Sequence, residues 1–373
     1  MAIAVILVAA GKGERLGAGI PKAEVIVARK TLLWHSLSHV YDLAPDQVIV
    51  VAPPDRLPEF EHLCSSFHFD NLQIVAGGET RQDSVRNGLN LVTTDLVLVH
   101  DSARAFTPSS VYRAVASALE KNECVVPVLP IADTVKEIAN STVIRTLDRS
   151  KLVATQTPQG FSVSALRSAL DSATQSFTDE AGLLESLGAK VETVPGHAMG
   201  FKVTYPEDLE SARKLLAEIR TGIGTDAHSF SDEGELSLGC LVWPELPKLE
   251  GHSDGDPIAH AMVDALLSAA SLGDIGLNFG VDRPEYANAK GEVFLKGALE
   301  LLKNTGYEPV NVSVQVICDK PKISRRRDEL ETHLTHLIGA PVSIGATTTD
   351  GLGFLADSRG VAAVATALIR VRD

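Results

Sequence analysis

The sequence predicts a protein of the α/β class with two domains. Its 373 residues exceed the size of one average domain, and its hydrophobic fraction of 45% is large enough to bury two cores. In the first half, continuous apolar runs alternate with helical patterns, which is typical of parallel strands joined by helices. A new series of strands and helices starts after about 220 residues, so we expect a second domain there.

The predicted strands of the first half are apolar runs bounded by turns, at residues 3–9, 47–52, 72–76, 96–99 and 124–128. Helical periodicity lies between these runs, at residues 32–41, 82–91 and 109–119. Residues 133–157 are more polar and predict an arm outside the main sheet. Residues 206–220 predict a helix, because Pro206 lies near its start and acidic residues occupy its first turn.

The second half predicts a mixture of strands and helices without an internal repeat. Its predicted strands are residues 221–226, 311–318 and 342–346, its predicted helices are residues 258–272, 293–305 and 325–337, and an apolar segment closes it at 361–369. We therefore place the two domains at residues 1–215 and 216–373.

The composition excludes several function classes. A net charge of -14 is unsuited to a broad nucleic-acid-binding surface, although a few local cations can still bind a small anionic substrate. The four cysteines form no CxxC pair, so we expect neither a disulfide framework nor a cysteine zinc site. Neither a signal peptide nor a transmembrane run is recognisable, and we expect a cytoplasmic protein without membrane partners.

A glycine-rich loop at residues 11–22 follows the first predicted strand. Glycines let a backbone approach phosphates closely, and Arg15 and Lys22 add the fixed positive charge that phosphoryl and nucleotidyl transfer need. A dinucleotide-binding loop is a poor match, because Gly17 comes one position late and Asp55 follows two prolines. A glycine-rich turn with two surface cations remains the alternative.

Two more polar segments follow predicted strands. Residues 77–85 offer small and polar side chains that suit a base or a ribose. Asp101 stands at the end of the strand at 96–99, where a carboxylate near a triphosphate is a natural Mg²⁺ ligand. A purely structural aspartate is the alternative.

Residues 3 to about 215 resemble the 2-C-methyl-D-erythritol 4-phosphate cytidylyltransferases of the non-mevalonate isoprenoid pathway. The motifs that carry the resemblance occur in order at residues 9–22, 77–85, 99–104, 133–136, 148–159, 178–181 and 202–209. The resemblance implies a Rossmann-like nucleotidyltransferase domain that dimerises through an arm like residues 133–157. Ala105 departs from the family, which usually has proline there, and Ala23 and Glu24 replace a frequent Gln-Tyr.

This first resemblance also implies a reaction, in which CMP is transferred from CTP to methylerythritol phosphate and pyrophosphate leaves. Arg15 and Lys22 would be catalytic, and Asp101 would hold Mg²⁺ or Mn²⁺. The implied substrate-binding residues are Gly11, Gly13, Gly78, Asp83, Ser84, Arg104, Thr134, Arg149, Thr157 and Lys202.

A possible metal site stands at the start of the second half. Asp226 and His228 are two residues apart, which places them on one face of a strand, and His260 lies on a predicted helix. One carboxylate and two imidazoles with an open position form a catalytic zinc set. Ordinary surface residues are the alternative. A calcium loop around Asp254 and Asp256 lacks the remaining ligands.

Residues 221–373 resemble the 2-C-methyl-D-erythritol 2,4-cyclodiphosphate synthases. The motifs occur in order at residues 224–228, 252–261, 264–267, 273–276, 321–322 and 346–354. The resemblance implies an α+β domain that trimerises and has its active sites between subunits. It also implies that CDP-methylerythritol 2-phosphate is cyclised and CMP is released, with an ATP-dependent kinase step between the two reactions.

The second resemblance implies Zn²⁺ on Asp226, His228 and His260, and a second ion, Mg²⁺ or Mn²⁺, on Asp350. His252 and Thr348 would be catalytic. The implied substrate-binding residues are Ser253, Asp274, Ile275, Gly276, Lys322, Ala346, Thr347, Thr349 and Phe354.

Three departures from the second family leave an alternative open. Asp350 replaces a common Glu, residues 279–282 differ from the usual stretch, and Asp357 replaces an Arg, with Arg359 two residues later. The second domain could therefore be mainly a trimerisation scaffold. A sugar-1-phosphate nucleotidyltransferase is the alternative for the first domain. Dimer and trimer contacts in one chain predict a homo-oligomer, either a trimer or a hexamer.

Overall fold

The computed structural model of the chain describes residues 2–251, 253–280, 286, 289–351 and 359–372. The chain divides into two compact units, residues 1–215 and residues 216–373, which we call the first and the second unit. Both combine helices with sheets, so the predicted α/β class is confirmed. Within the described ranges, helices long and apolar enough to cross a membrane are absent.

The first unit alternates strands and helices along its first 130 residues. Its strands are β1 (Ile3–Val8), β2 (Ile26–Val27), β3 (Lys30–Thr31), β4 (Gln47–Ala52), β5 (Leu72–Ala76), β6 (Leu96–Asp101), β7 (Cys124–Pro130), β8 (Lys136–Ala139), β9 (Thr142–Thr146), β10 (Val153–Thr155), β11 (Gln159–Ser162) and β12 (Glu192–Pro195). Its α-helices are α1 (Leu32–Tyr41), α2 (Leu57–Cys64), α3 (Arg81–Leu89), α4 (Ser109–Leu119), α5 (Val163–Ser172), α6 (Glu180–Ser186) and α7 (Pro206–Leu215).

The main sheet of the first unit has the strand order β10-β7-β11-β6-β1-β4-β5, and β12 pairs with β7. The central strands β6, β1, β4 and β5 are parallel. Two apolar clusters cover the two faces of this sheet, which explains why its central strands are continuous apolar runs. The carboxyl ends of these strands meet at one edge, where ligands bind in open α/β sheets.

The predicted arm at residues 133–157 is partly wrong. Strands β8 and β9 do form a hairpin that pairs with itself outside the main sheet, and Ile138 and Ile144 on it are exposed. Strand β10, however, joins the main sheet, because Thr155 pairs with Val128 of β7. That pairing is between distant parts of the chain, and polarity alone does not reveal it.

The second unit packs helices against one face of a smaller sheet. Its strands are β13 (Ile219–Ser229), β14 (Leu236–Leu238), β15 (Leu241–Trp243), β16 (Tyr307–Ile317), β17 (Val342–Thr347) and β18 (Gly360–Val371). Its α-helices are α8 (Pro257–Ala269), α9 (Ile275–Phe279), α10 (Gly291–Asn304) and α11 (Arg327–Ile338).

The sheet of the second unit has the strand order β13-β18-β16-β17, with β16 and β17 parallel and the other neighbours antiparallel. Helix α8 lies directly on β13. A Cβ atom added at Gly224 would stand 2.2 Å from the carbonyl oxygen of Ala261, so only glycine permits this approach. This close contact brings α8, which carries His260, against the strand that carries Asp226.

The predicted helix at residues 206–220 is too long. Helix α7 ends at Leu215, and Ile219 begins β13 by pairing with Arg370 near the end of the chain. The strand continues to Ser229, three residues beyond its predicted end. Antiparallel pairing with β18 over this whole length decides both ends, and it overrides the local helical pattern.

Candidate active sites

Three segments named by the sequence meet at the carboxyl edge of the main sheet in the first unit. The loop at residues 11–22 follows β1, the start of α3 follows β5, and Asp101 ends β6. Because β6, β1, β4 and β5 are parallel neighbours, their carboxyl ends lie on the same side. The fold thus gathers the glycine-rich loop and Asp101 into one place.

The loop folds back so that its two ends touch. The backbone N–H of Lys22 donates to the carbonyl of Gly11 at 3.4 Å. Gly13 has a φ of 72°, and a Cβ atom there would lie 3.2 Å from Cβ of Lys22, so glycine is favoured for both reasons. Arg15 is exposed, and its guanidinium carbon stands 5.7 Å from the centre of the Tyr205 ring. Arg15 and the partly exposed Lys22 are therefore accessible to an incoming anion.

Lys22 lies in an electropositive environment. Burial lowers the pKa of its ammonium group, and the positive charges of Lys202 and Arg15 lower it further. Cations that are held close together repel one another, and a bound polyanion removes this repulsion. This cluster is therefore suited to a phosphate-rich ligand.

Asp101 is buried and holds two cations. Its Oδ2 atom accepts a hydrogen bond from Nζ of Lys202 at 2.6 Å, and its Oδ1 atom lies 2.9 Å from the guanidinium of Arg81. Burial alone would raise the pKa of this carboxyl group, but the two cations hold the pKa well below its usual range. Asp101 is therefore ionised, and its surroundings place positive charge beside it.

Arg81 and Glu180 are functional candidates that the sequence analysis left without a role. Nη1 of Arg81 donates to both carboxylate oxygens of Glu180 at 2.7 Å, while the rest of the guanidinium faces Asp101. Glu180 is 2% exposed, and burial raises its pKa in spite of Arg81. Arg81 thus links a buried carboxylate to Asp101. Arg81 lies within the motif at residues 77–85 and Glu180 within the motif at residues 178–181. Their place in these motifs is the signal by which the sequence could have identified them.

A cavity of about 470 Å³ opens beside this network. Its walls include Arg81, Asp101, Arg104, Thr157 and Lys202, together with the turn before α6. The guanidinium of Arg104 donates to the carbonyls of Gly200 at 2.7 Å and Thr155 at 3.3 Å, and these bonds fix its position. The cavity therefore combines three cations, Arg81, Arg104 and Lys202, with the ionised carboxylate of Asp101 and the side chains of Asp179 and Glu185.

Among the other predicted residues of the first unit, Asp83 and Ser84 form hydrogen bonds within their own segment, Thr134 and Arg149 lie away from the cavity, and Thr157 contacts a buried histidine. Asp83 accepts from the backbone and side chain of Thr80 in the capping box of α3, and Ser84 accepts from the N–H of Gly78. Thr134 and Arg149 are exposed and do not line the cavity. The hydroxyl group of Thr157 lies 3.0 Å from a ring nitrogen of His100, whose pKa burial lowers to about 3.

The Arg81–Glu180 pair supports a prediction about stability. Replacing Arg81 by methionine would leave the carboxylate of Glu180 buried without its partner, so the free energy of unfolding should fall by about 3 kcal/mol. Adding Glu180→Leu should restore at least half of this loss. Urea unfolding of the full chain in a Trp243→Phe background checks this, since Trp34 then reports on the first unit.

Arg145→Met is the matched control, because Arg145 forms an exposed ion pair with Glu137 on the arm. Its expected cost is below about 1 kcal/mol. Equal urea midpoints for Arg81→Met and the parent protein would contradict the assigned role of the buried pair.

The possible metal site of the second unit is assembled as the sequence predicts. Asp226 and His228 lie on β13 and His260 on α8, and one ligand atom from each lies within 4.8 Å of the others. Oδ2 of Asp226 stands 2.8 Å from Nε2 of His228 and 2.8 Å from Nδ1 of His260. Burial alone would raise the pKa of Asp226, but hydrogen bonds from the two rings hold it well below its usual range.

The surroundings of this cluster hold its members in place. The second ring nitrogen of His260 lies 3.2 Å from Oγ of Ser253, so it has a partner of the kind that orients metal-bound imidazoles. Asp256, which is fully buried, caps α8 by accepting from the N–H groups of Ile258 and Ala259. The cap fixes the start of the helix that carries His260. The cluster therefore offers a convergent set of one carboxylate and two imidazoles, which suits Zn²⁺.

Another group of predicted residues in the second unit lies at or after the carboxyl ends of β16 and β17. These strands are parallel, so Lys322 and the segment from Ala346 to Asp350 lie at the same edge of the sheet. Oγ1 of Thr348 donates to Asp350 at 2.8 Å. Strand β13 ends at this edge too, but it lies three strands from β17, or roughly 14 Å at about 4.8 Å a step. Within one chain, the metal cluster and this segment are therefore apart.

Asp274 caps the start of α9, where its side chain accepts from the N–H of Leu277 at 2.8 Å. The N–H of Ile275, the next residue, donates to Asp264 on α8 at 2.7 Å, and Gly276 follows on the same exposed turn. His252, Phe354 and Asp357, and residues 281–282 of the departing stretch, lie outside the described residues.

Comparison with protein families divides the chain at nearly the same place as its fold. A family model described as 2-C-methyl-D-erythritol 4-phosphate cytidylyltransferase matches residues 3–218. A second model, described as the YgbB family, matches residues 219–370. The chain is also similar to a solved structure of the bifunctional IspDF from Campylobacter jejuni, with 27% identity and a TM-score of 0.51, which covers 100% of this chain and 99% of that one.

Curated relatives join the same two halves in one chain. The bifunctional enzyme IspD/IspF of Clavibacter michiganensis is 49% identical, over 98% of this chain and 94% of that protein. The enzyme of the same name from Tropheryma whipplei is 36% identical, over 99% of both chains. The predicted membership of both enzyme families is confirmed by these matches. The chain therefore belongs to the family of bifunctional IspD/IspF enzymes.

Proposed function

We propose that the first unit transfers CMP from CTP to 2-C-methyl-D-erythritol 4-phosphate and releases pyrophosphate. The observation that carries this proposal is the set of fixed cations around the 470 Å³ cavity, which neighbours the glycine-rich loop. A phosphate oxygen of methylerythritol phosphate attacks the α-phosphorus of CTP, and the bond to pyrophosphate breaks. Lys22 and Arg15 stabilise the negative charge that develops on the α-phosphate. Lys202 and Arg104 bind the phosphate of the second substrate.

Asp101 fits a divalent ion in this reaction. It is ionised, its oxygens are the hard ligands that Mg²⁺ prefers, and its contacts with Lys202 and Arg81 indicate that the site favours positive charge there. When bound, Mg²⁺ or Mn²⁺ would neutralise charge on the triphosphate. Gly11, Gly13, Gly78, Asp83 and Ser84 would surround the nucleotide. Thr134 and Arg149, which lie on or beside the exposed hairpin, would serve a neighbouring subunit.

We propose that the second unit cyclises CDP-methylerythritol 2-phosphate and releases CMP. Asp226, His228 and His260 would hold Zn²⁺, whose chemistry is to polarise a phosphate as a Lewis acid. The 2-phosphate oxygen attacks the β-phosphorus, and the bond to CMP breaks. His252, Ser253 and Thr348 would stabilise the charge that develops, and Asp350 would hold a second ion, Mg²⁺ or Mn²⁺.

We propose that the nucleotide of this second reaction is bound across a subunit interface. Ala346, Thr347 and Thr349 lie on or directly after β17, which is roughly 14 Å from β13 of their own chain. Lys322 follows β16, the parallel neighbour of β17. These residues would bind the CMP group of a substrate held at a neighbouring cluster, while Asp274, Ile275 and Gly276 would hold the erythritol. The exposed side chains of Ile219 and Ile223 on β13 support subunit contacts on the open face of this sheet.

We expect a trimer or a hexamer of this chain in solution. Analytical ultracentrifugation of the full chain measures the mass, and a monomer at micromolar concentration would refute the shared site. A cytoplasmic location is also proposed, since all four cysteines are free.

A pyrophosphate-release assay tests the first activity. With methylerythritol phosphate we expect CTP to be used in strong preference to UTP or dTTP. Equal use of UTP would favour a sugar-1-phosphate nucleotidyltransferase instead. For the second activity, zinc-loaded protein that binds the diphosphate substrate and releases no CMP would favour the scaffold alternative.

A further inference from the structure

The hydrogen bonds of His100 connect three residues of the first active site. His100 lies on β6 directly before Asp101, and it is fully buried. Its Nδ1 atom stands 3.0 Å from Oγ1 of Thr157, and its Nε2 atom stands 3.3 Å from the carbonyl oxygen of Arg104. Thr157 is itself 3.1 Å from the backbone nitrogen of Asp101.

The chemistry of these groups determines the direction of each bond. The carbonyl oxygen of Arg104 can only accept, so Nε2 of His100 carries the hydrogen. In a neutral imidazole the other nitrogen is then an acceptor, and the hydroxyl group of Thr157 donates to it. The oxygen of this hydroxyl group accepts in turn from the N–H of Asp101. The chain of bonds has one consistent direction from Asp101 through Thr157 and His100 to Arg104.

These hydrogen bonds cross the turn at residues 101–104, which contributes Asp101 and Arg104 to the wall of the cavity. The turn is tight, because the N–H of Arg104 donates to the carbonyl of Asp101 at 2.8 Å. The ring of His100 adds a second connection across this turn through its bond to the carbonyl of Arg104. The ring of Tyr112 packs against the imidazole at 5.0 Å between centres. Thr157 reaches this turn from a segment 57 positions away along the chain. The imidazole therefore joins the end of β6 to the segment before β11.

We propose that His100 is a positioning residue for cytidylyl transfer, and that it acts through the hydroxyl group of Thr157. This inference rests on the function proposed for the first unit. The neutral ring, protonated on Nε2, orients Thr157 and thereby fixes the backbone of Asp101 at the cavity. The hydroxyl group of Thr157 donates its single hydrogen to His100. It therefore stabilises the wall of the cavity and does not donate to the substrate.

Two substitutions of His100 test its two hydrogen bonds separately, because each variant keeps one of the bonds and removes the other. Asparagine places an amide oxygen near the position of Nδ1, so His100→Asn keeps an acceptor for Thr157. Glutamine reaches the position of Nε2, so His100→Gln keeps the donor to Arg104 and leaves Thr157 without an acceptor. We expect His100→Gln to lower kcat/KM for pyrophosphate release about 10- to 100-fold, and His100→Asn to lose several-fold less.

A double-mutant cycle tests whether His100 acts through Thr157. In a Thr157→Val background, His100→Gln should have little further effect, because the bond is already absent. Thr157→Ser keeps the hydroxyl group and is the matched variant, which we expect to retain most activity. Additive losses in the cycle, or equal losses in the asparagine and glutamine variants, would overturn the inference.

Neutron diffraction from deuterated crystals of the full chain gives a readout that does not depend on activity. We expect a deuteron on Nε2 of His100, none on Nδ1, and the Thr157 deuteron directed at the ring. A deuteron on Nδ1 would overturn the proposal even if the His100 variants fail to fold. A wild-type protein that releases no pyrophosphate would instead overturn the proposed function, so the two failures are distinguishable.

Discussion

Replacing Lys22 by alanine is expected to lower pyrophosphate release about 100- to 1000-fold, which is typical for the loss of a group that stabilises transition-state charge. Lys22 is held in place by its own backbone bond to Gly11 and lies among cations that an incoming triphosphate would neutralise. Single-turnover pyrophosphate release with saturating CTP and methylerythritol phosphate measures the chemical step. Release of CMP by the second unit should stay within about twofold of wild type, since its site is built from other residues.

Lys121→Ala is the matched control, because Lys121 is exposed between α4 and β7, at the amino ends of the strands and thus at the edge opposite the loop. It removes the same charge from the same unit, and we expect pyrophosphate release to be unchanged. If Lys22→Ala and Lys121→Ala gave equal rates, the loss of net charge alone would explain the effect, and the catalytic role of Lys22 would be wrong.

Replacing His260 by alanine is expected to impair CMP release by the second unit and to spare pyrophosphate release by the first, which is the reverse of the effect expected for Lys22→Ala. Changes to groups that merely orient a ligand cost about 10- to 100-fold in metal affinity or activity, so the loss of a ligand itself should exceed about 100-fold. His260 is buried, and its Nδ1 atom lies 2.8 Å from the carboxylate of Asp226. We expect bound zinc, measured by mass spectrometry after dialysis, to fall from about one ion per chain to less than about a tenth. Release of CMP should fall with it.

His336→Ala is the control for this experiment, because His336 is an exposed histidine of α11 in the same unit. It should leave both the zinc content and the release of CMP unchanged. A His260→Ala protein that keeps its zinc would show that the three side chains are not the metal ligands. If His260→Ala or Lys22→Ala removed both activities from folded protein, the independence of the two sites would be refuted.

Much of the fold is predictable from local patterns. The central strands of the first unit are recognisable because burial on both faces favours continuous apolar runs, as in β1 and in β4 after Gln47. The boundaries that were wrong depend on partners elsewhere. Residues 216–220 follow a helical pattern, but Ile219 pairs with Arg370 across the sheet. No pattern within the segment itself records that pairing.

The candidate sites also have features that the sequence reveals and features that depend on the tertiary structure. The glycine-rich loop and the Asp226–His228 pair are recognisable because phosphate binding and metal binding use residues at short, characteristic spacings. Their assigned roles remain predictions, which the experiments above test. The structure shows which side chains contact these sites. Arg81 binds Glu180, which is 99 positions away along the chain, and Thr157 contacts His100, which is 57 positions away.

By itself, the sequence determined the class of both halves and named the residues most able to do chemistry, since apolar periodicity and clustered motifs are local properties. Only the tertiary structure decided which charges become neighbours. It placed Arg81 and Lys202 beside Asp101, and it put β17 three strand spacings away from β13, which carries two residues of the metal cluster. The physical reason is that an ion pair or a buried hydrogen bond depends on distance in space, and the pairing of distant strands sets that distance.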